Sequence, residues 1–178
     1  IKTSQKTGIK IYEDSITDWN LLELQEKYPF EMVTVKCPRK IEATSGADWE
    51  WWLNSNGLWF GLRVQAKKLD VRTLRYRNLA KTTRSGRQVD LLIGKSLTNT
   101  PPVMPIYVFY NYWDTSLFNS PWLCRSFSKM PEMLGCGVCN AIIVREMINR
   151  GMEELEGLST TMYPWSCLVC CMGFSKGD

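Results

Sequence analysis

The sequence predicts an α/β fold in which helices flank a central mixed sheet, and three observations predict it. A β-hairpin pattern runs from Gly46 to Lys67 around Asn54-Ser55-Asn56-Gly57. Apolar residues recur at helical spacing between Asp14 and Lys27. The run Ile106-Tyr107-Val108-Phe109-Tyr110 is apolar enough for a strand buried on both faces. With 178 residues, 44% hydrophobic and 22% charged, the chain has ordinary globular composition and length for one substantial core. One domain is expected over residues 1–178, with a core from about 12 to 112 and a C-terminal extension over 113–178.

The elements follow in order. Ile16, Trp19, Leu22 and Leu24 predict a first helix, with Asp14 or Ser15 as its cap and Pro29 as its stop. Met32-Val33-Thr34-Val35 predicts a short strand, and Pro38-Arg39-Lys40 a turn. The runs Gly46–Leu53 and Leu58–Lys67 are rich in aromatic and β-branched residues, and the Asn-Gly between them is the strongest short hairpin signal. Val71, Leu74 and Leu79 among arginines predict an amphipathic helix over Asp70–Thr83 with a basic face, ended by Ser85-Gly86. Gln88 through Lys95 predicts a short helix, Ala141 through Glu154 a longer one, and Ser166 through Met172 a last strand.

Composition narrows the chemistry. There is no histidine, which removes Ser-His-Asp and Cys-His catalysis and every His-ligated metal site. Seven cysteines, with Cys170 and Cys171 adjacent, suit reduced thiols better than a disulfide framework. No apolar run approaches the roughly 20 residues a membrane helix needs, and Ile1–Lys10 lacks the apolar segment of a secretory signal. A cytoplasmic protein without a membrane partner is expected. The net charge is only +4, but Arg63, Lys67, Lys68, Arg72, Arg75, Arg77, Lys81, Arg84 and Arg87 fall in one window, the footprint of a polyanion such as nucleic acid.

The hairpin carries the chemistry. Side chains alternate along a strand, so Gln65 and Lys67 share a face, and antiparallel pairing sets Asp48 across from residues 63 to 65. A carboxylate, an amide and an amine then meet within strands otherwise made of Trp, Phe, Leu and Val. Burying an aspartate and a lysine there is costly unless they pair or bind a cation. An acidic side chain with neighbouring carbonyls suits Mg²⁺ or Mn²⁺, and a lysine ammonium can orient an attacking water or stabilise charge on a phosphate.

With Gly46-Ala47-Asp48, a hairpin and then Gln65-Ala66-Lys67, a D-x16-QxK pattern, the sequence resembles the PD-(D/E)XK nuclease superfamily in its Mrr-like restriction-endonuclease form. It is most like a bacterial family of that type without an assigned function. The resemblance covers roughly residues 12 to 112 and implies a restriction-endonuclease-like αβββαβ core. It implies a metal-dependent endonuclease acting on DNA, in restriction or phage defence, with Asp48, Gln65, Lys67 and Glu13 as catalytic residues. Asp48, Gln65, the Ala66 carbonyl and Glu13 would hold the metal, with Glu42 second to Glu13. Gln88, on the helix after the QxK strand, would join Lys68, Arg72 and Arg75 in touching nucleic acid. Two departures stand out: Ala47 replaces the proline usual before the aspartate, and the neutral Gln65 weakens metal binding.

Two other readings stay open. One is a nucleic-acid-binding module that keeps the fold but holds no metal. The other is a zinc-stabilised protein-interaction domain, since Cys136, Cys139, Cys167 and Cys170 form two C-x2-C pairs; buried thiols are preferred, because the second pair sits in an apolar run. Trp49 and Trp51 should pack on the face opposite Asp48, whereas Trp52 or Trp59 could stack on an unpaired base. Cutting both strands of a duplex would call for a homodimer.

Overall fold

The hairpin forms as its turn chemistry requires. Asn56 and Gly57 both hold positive φ, 53° and 81°, the pair of left-handed residues that a two-residue type I′ turn needs. The Gly57 N–H donates to Asn54 Oδ1 at 2.9 Å, and Ser55 pairs with Leu58 across the turn.

The computed structural model describes residues 7–112 and 135–170, without the side chains at 169 and 170. The chain runs α1 (Glu13–Lys27), β1 (Met32–Lys36), α2 (Arg39–Ser45), β2 (Trp49–Ser55), β3 (Leu58–Asp70), β4 (Arg75–Tyr76), β5 (Thr82–Thr83), β6 (Gly86–Arg87) and α3 (Gln88–Leu97). It continues through β7 (Met104–Tyr110), β8 (Cys136–Asn140), α4 (Ala141–Asn149), α5 (Leu155–Ser159), β9 (Tyr163–Pro164) and α6 (Cys167–Cys170). The sheet order is β1-β2-β3-β7-β8-β9, with β4 added to the end of β3. β3 and β7 are parallel and the other pairs in that order antiparallel, so the fold is α/β with a mixed central sheet. Elements α1, β1, β2, β3, α3 and β7 follow the αβββαβ order of a restriction-endonuclease-like fold.

The alternation of β3 decides which helix covers which face. Its even residues Leu62, Val64 and Ala66 join Trp49, Trp51, Ile106 and Val108 in a core closed by Leu21 of α1. On the other face, Leu69, Tyr107 and Phe109 pack with Val89, Leu92 and Ile93 of α3 and Val144 of α4. Trp49 and Trp51 thus lie opposite the polar face, as their alternation predicts, with ring centroids 5.3 Å apart edge to face. Burial of each such side chain contributes roughly 1.5–3 kcal/mol. The outer edge of β1 is capped by Gln25 of α1, whose Nε2 donates to Met32 O at 3.1 Å and whose Oε1 accepts from Thr34 N at 3.0 Å. An amide side chain thereby stands in for the missing next strand.

Several expectations are corrected. α1 forms, but Trp19 and Leu22 are 72% and 69% exposed; the buried stripe is Thr17 and Leu21, anchored by Thr17 Oγ1 on the Tyr110 hydroxyl at 3.0 Å. The expected turn after Pro38 opens α2 instead, Pro38 serving as the residue before the first turn and its carbonyl accepting from Ile41 and Glu42. The basic helix over Asp70–Thr83 does not form. Leu74 and Asn78 take left-handed φ of 53° and 58°, and Asp70 Oδ1 accepts from Arg72 N at 3.0 Å, which turns the chain back on itself. Backbone groups a helix would have used are taken at long range: Tyr76 N by Glu153 O, and Leu74 O by Leu155 N. Gly151, at φ 72°, follows the end of α4, which stops at Asn149 rather than Glu154. Cys167–Cys170 is a short helix rather than a strand, and Cys171 and Met172 lie outside the described residues.

Candidate active site

The site arises because β2 starts too late to cover β3. Trp49 is the first residue of β2 and pairs with Val64, so the four residues 65–68 of β3 have no strand beside them on that edge before Leu69 and Asp70 pair with β4. Asp48 N donates to Val64 O at 2.8 Å, so Val64 directs its backbone groups toward β2, and by the two-residue period Ala66 and Lys68 direct theirs into the vacated lane. Exposed strand edges are ready-made binding groups, and here carboxylates occupy them. Asp48 Oδ2 accepts from Ala66 N at 2.6 Å, and the Glu13 carboxylate accepts from the Lys68 backbone N–H.

Gln65 and Lys67 project onto the α3 face of the sheet, 2% and 5% exposed. The Gln65 amide bridges the lane: its Nε2 donates to Asp48 Oδ2 at 2.6 Å and to Ala66 O at 3.0 Å. Its Oε1 is buried and has no hydrogen-bond partner among the described residues. Lys67 Nζ donates to Oε1 of Gln88, the first residue of α3, at 3.0 Å. Gln88 stands there because Gly46, at φ 71°, lets the end of α2 come against α3; a Cβ on Gly46 would lie 2.3 Å from Gln88 O.

The electrostatics follow from burial. Desolvation pushes the Asp48 carboxyl up to about 7, overcoming the Ala66 N–H and the Lys67 charge that pull it down. Desolvation likewise raises Glu13 and lowers Lys67, each opposed by the other's charge. Glu42 acts on Asp48, Glu13 and Lys67, and the Lys81 ammonium acts on Lys67 while standing 3.9 Å from Glu42. Three acids, two lysines and two glutamines therefore share one neighbourhood, drawn from α1, α2, β3, the β4–β5 turn and α3.

Among the sequence-predicted residues, the structure brings together Asp48, Gln65, Ala66, Lys67, Glu13 and Gln88, with Glu42 in electrostatic range. Lys68, Arg72 and Arg75 have different surroundings. Lys68 Nζ is held by the Ile11 carbonyl, Arg72 is exposed beyond the end of β3, and Arg75 pairs with Glu153 and Glu154 at 3.4 and 2.6 Å. Lys81 is a neighbour that local pattern could not find, because it arrives through the turn whose Lys81 O accepts from Gln88 N at 2.9 Å. Tyr107, expected only as part of a buried strand, pairs with Gln65 from β7, and among the described residues its buried hydroxyl has no hydrogen-bond partner.

Among the described residues, no three His, Cys, Asp or Glu side chains group to hold a metal. The oxygens at this edge come instead from a carboxylate, a main-chain carbonyl and an amide. Cys136 and Cys139, three apart on β8, belong to opposite faces of the sheet: Cys136 packs with the α1-side core, and Cys139 lies in the α3-side core, with Sγ 3.5 Å from Thr161 Oγ1. Cys37, Cys136 and Cys139 are free thiols, Cys167 is buried, and the Cys170 side chain lies outside those described. Among the described residues no helix is long and apolar enough to cross a membrane.

Fold and site together define an α/β protein with a restriction-endonuclease-like core and a carboxylate–amide–lysine cluster at an opened strand edge. The chain belongs to DUF6615, a family of unknown function, whose model matches residues 1–178. No curated protein matches it.

Proposed function

We propose that this protein is a metal-dependent nuclease that hydrolyses phosphodiester bonds in DNA at the edge formed by Asp48, Gln65 and Lys67. One observation carries the reading: Asp48 Oδ2, Ala66 O and the Gln65 amide converge in a lane where β3 has no partner strand, with a buried lysine alongside. The donor set fits Mg²⁺ or Mn²⁺, which take hard oxygens from few protein groups and leave room for water and phosphate. The buried, unpartnered Gln65 Oε1 fits as well. A half-turn of that amide exchanges Nε2 for Oε1 and points a third oxygen at the two it now bridges, an arrangement that repels itself unless a cation is shared. Glu13 brings a second carboxylate to the same edge, with Glu42 behind it.

A divalent cation held there would supply Lewis-acid polarisation of a phosphoryl oxygen and a more acidic water. The protein's own contribution lies in Lys67. Gln88 fixes its ammonium beside the lane, where it orients water and stabilises charge developing on a phosphate. No histidine is needed. A cytoplasmic role in restriction or phage defence extends this reading by resemblance alone.

The experiment is incubation with plasmid and single-stranded DNA in Mg²⁺ or Mn²⁺, beside Asp48→Ala and Lys67→Ala. Cleavage by the native chain and its loss in both variants is expected; cleavage that survives in both removes the proposal. A second reading, a nucleic-acid-binding module that does not cut, is favoured by the Gln65 amide bridging Asp48 Oδ2 and Ala66 O, which gives both of those oxygens a hydrogen bond without a cation. DNA binding without cutting, unchanged in the same variants, would establish that reading instead.

A further inference from the structure

One residue pair toward the hairpin turn from Asp48 and Gln65, on the same face, Glu50 and Arg63 stand opposite each other. They form part of a cleft of about 370 Å³, whose other walls include Ile41 and Thr44 of α2 and Lys95 and Thr98 at the end of α3. The close contact of Gly46 with Gln88 joins α2 to α3, and neither Asp48, Gln65 nor Lys67 lines the cleft.

Arg63 is 9% exposed, and its pairing is one-sided. Its Nε and Nη2 both grip Glu50 Oε1, at 2.8 and 2.5 Å, and Nη2 also meets Asn99 Oδ1 at 3.0 Å. Arg63 Nη1 and Glu50 Oε2 make no hydrogen bond among the described residues, although the two side chains are only 11% and 17% exposed. A buried ion pair contributes little net stability over apolar side chains of similar volume. Arg63 here also keeps the two N–H groups of Nη1, and Glu50 one carboxylate oxygen, without a hydrogen bond among the described residues, on side chains that line a cavity. Such a floor offers a donor beside an acceptor, and its complement is a ligand edge with an acceptor beside a donor.

A nucleobase has that edge. Guanine presents O6, the acceptor arginine reads most often, next to the N1–H that a carboxylate can accept. Ile41 offers an apolar wall for the ring. Lys95 is exposed at the end of α3 without an ion pair among the described residues, so the cleft holds two cations to one carboxylate and suits a phosphate at its mouth. The volume lies at the small end of ligand pockets, about 300–1,000 Å³, and suits one nucleotide.

We infer that this cleft binds a nucleotide unit, with the base edge read by Arg63 and Glu50, guanine best, and the phosphate held by Lys95. The inference goes beyond the proposed nuclease activity and stands whether or not the Asp48 centre cuts. It is therefore tested in EDTA on the full chain carrying Asp48→Asn, by calorimetric titration with GMP, AMP, CMP and inorganic phosphate. GMP is expected to bind about tenfold tighter than AMP or CMP, and phosphate more weakly than any of them. Glu50→Gln should erase most of the guanine preference, whereas Lys95→Glu, a change at an exposed position, should weaken all three nucleotides and leave the preference intact. Displacement of GMP by a guanine-containing trinucleotide would assign the natural ligand to a nucleic-acid strand, and failure of the trinucleotide to compete would assign it to a free nucleotide; either supports the cleft. Titrations in which GMP fails to bind, binds no better than AMP, or is unaffected by both variants overturn the inference.

Discussion

Asp48 is the residue on which stability and function pull apart. Its carboxyl, raised from 3.8 to about 7 by burial, holds a proton in the folded chain that the unfolded chain releases earlier. The folded state therefore binds more protons between those values, and stability without a cation falls as pH rises from about 4 to 7, then levels. Asp48→Asn removes the buried charge, so in EDTA at pH 8 it should raise unfolding free energy by on the order of 3 kcal/mol, measured by urea denaturation. A variant less stable than the parent there would show that the carboxylate is already compensated within the fold. The same proton competes with a cation, so the melting-temperature gain from Mn²⁺ should shrink as pH falls from 8 to 6. A gain independent of pH would detach the cation from Asp48.

Gln65 is the second test at this scale. Its neutral amide now donates to the two oxygens a cation would share. Gln65→Glu replaces two donors with a second carboxylate. We expect a less stable cation-free chain and Mn²⁺ affinity raised at least about tenfold, since hard cations respond to ligand charge. Calorimetry that finds affinity unchanged would place the cation elsewhere. The Asp48–Gln65–Lys67 grouping was legible from sequence because it depends on two strong local regularities, the Asn-Gly turn and two-residue alternation. Glu42 came into view only through the resemblance, and Lys81 and Tyr107 carried no local sign of a place in the site, since each reaches the neighbourhood through contacts made only after the chain has folded.

At the scale of elements, what positions the chemistry is a mismatch of lengths: β3 spans 13 residues and β2 only 7, so a stretch of β3 between its pairing with β2 and its pairing with β4 is left open to receive side chains. Strands β1, β2, β3 and β7 were legible, and so was α3, whereas β8, β9 and the short strands β4 to β6 left no comparable pattern. The helix over 70–83 was misread because arginines and scattered leucines fit a helical stripe, while the deciding partners, the backbones of Glu153 and Leu155, lie far along the chain. The phase of α1 was misread for a similar reason: Tyr110 selects Thr17 as its partner, and hydrophobicity alone favoured Trp19. The α2–α3 contact is the element junction most sensitive to change. Gly46 combines a φ of 71° with a backbone neighbour 2.3 Å from any added Cβ, and backbone cannot step aside as a side chain can. Gly46→Ala should cost about 2 kcal/mol or more, seen in chemical denaturation, and should slow any cleavage by drawing Gln88 away from Lys67. Wild-type stability in that variant would mean that α2 and α3 part without consequence.

For the whole molecule, part of the basic window of the sequence is engaged in ion pairs within the chain. Arg75 is tied to Glu153 and Glu154, Arg77 to Asp70 and Arg87 to Asp90, so several positive charges serve to pin turns. Arg72 is exposed with no ion pair among the described residues, and Lys81 reaches Glu42 only at 3.9 Å while sitting beside Lys67. These roles predict different outcomes for the same charge reversal. Arg72→Glu and Lys81→Glu should each weaken DNA binding and lower the slope of log affinity against log salt by about 1, because each removes a phosphate contact and its released counterion. Arg75→Glu should instead lower the melting temperature, by confronting two carboxylates with a third, and alter the salt slope little. Fluorescence-anisotropy titrations across a salt series, beside thermal melts of the three variants, separate the two effects. Equal slopes in all three would mean that the strand approaches from another side, and the Asp48 lane would then lose its access to a phosphate backbone.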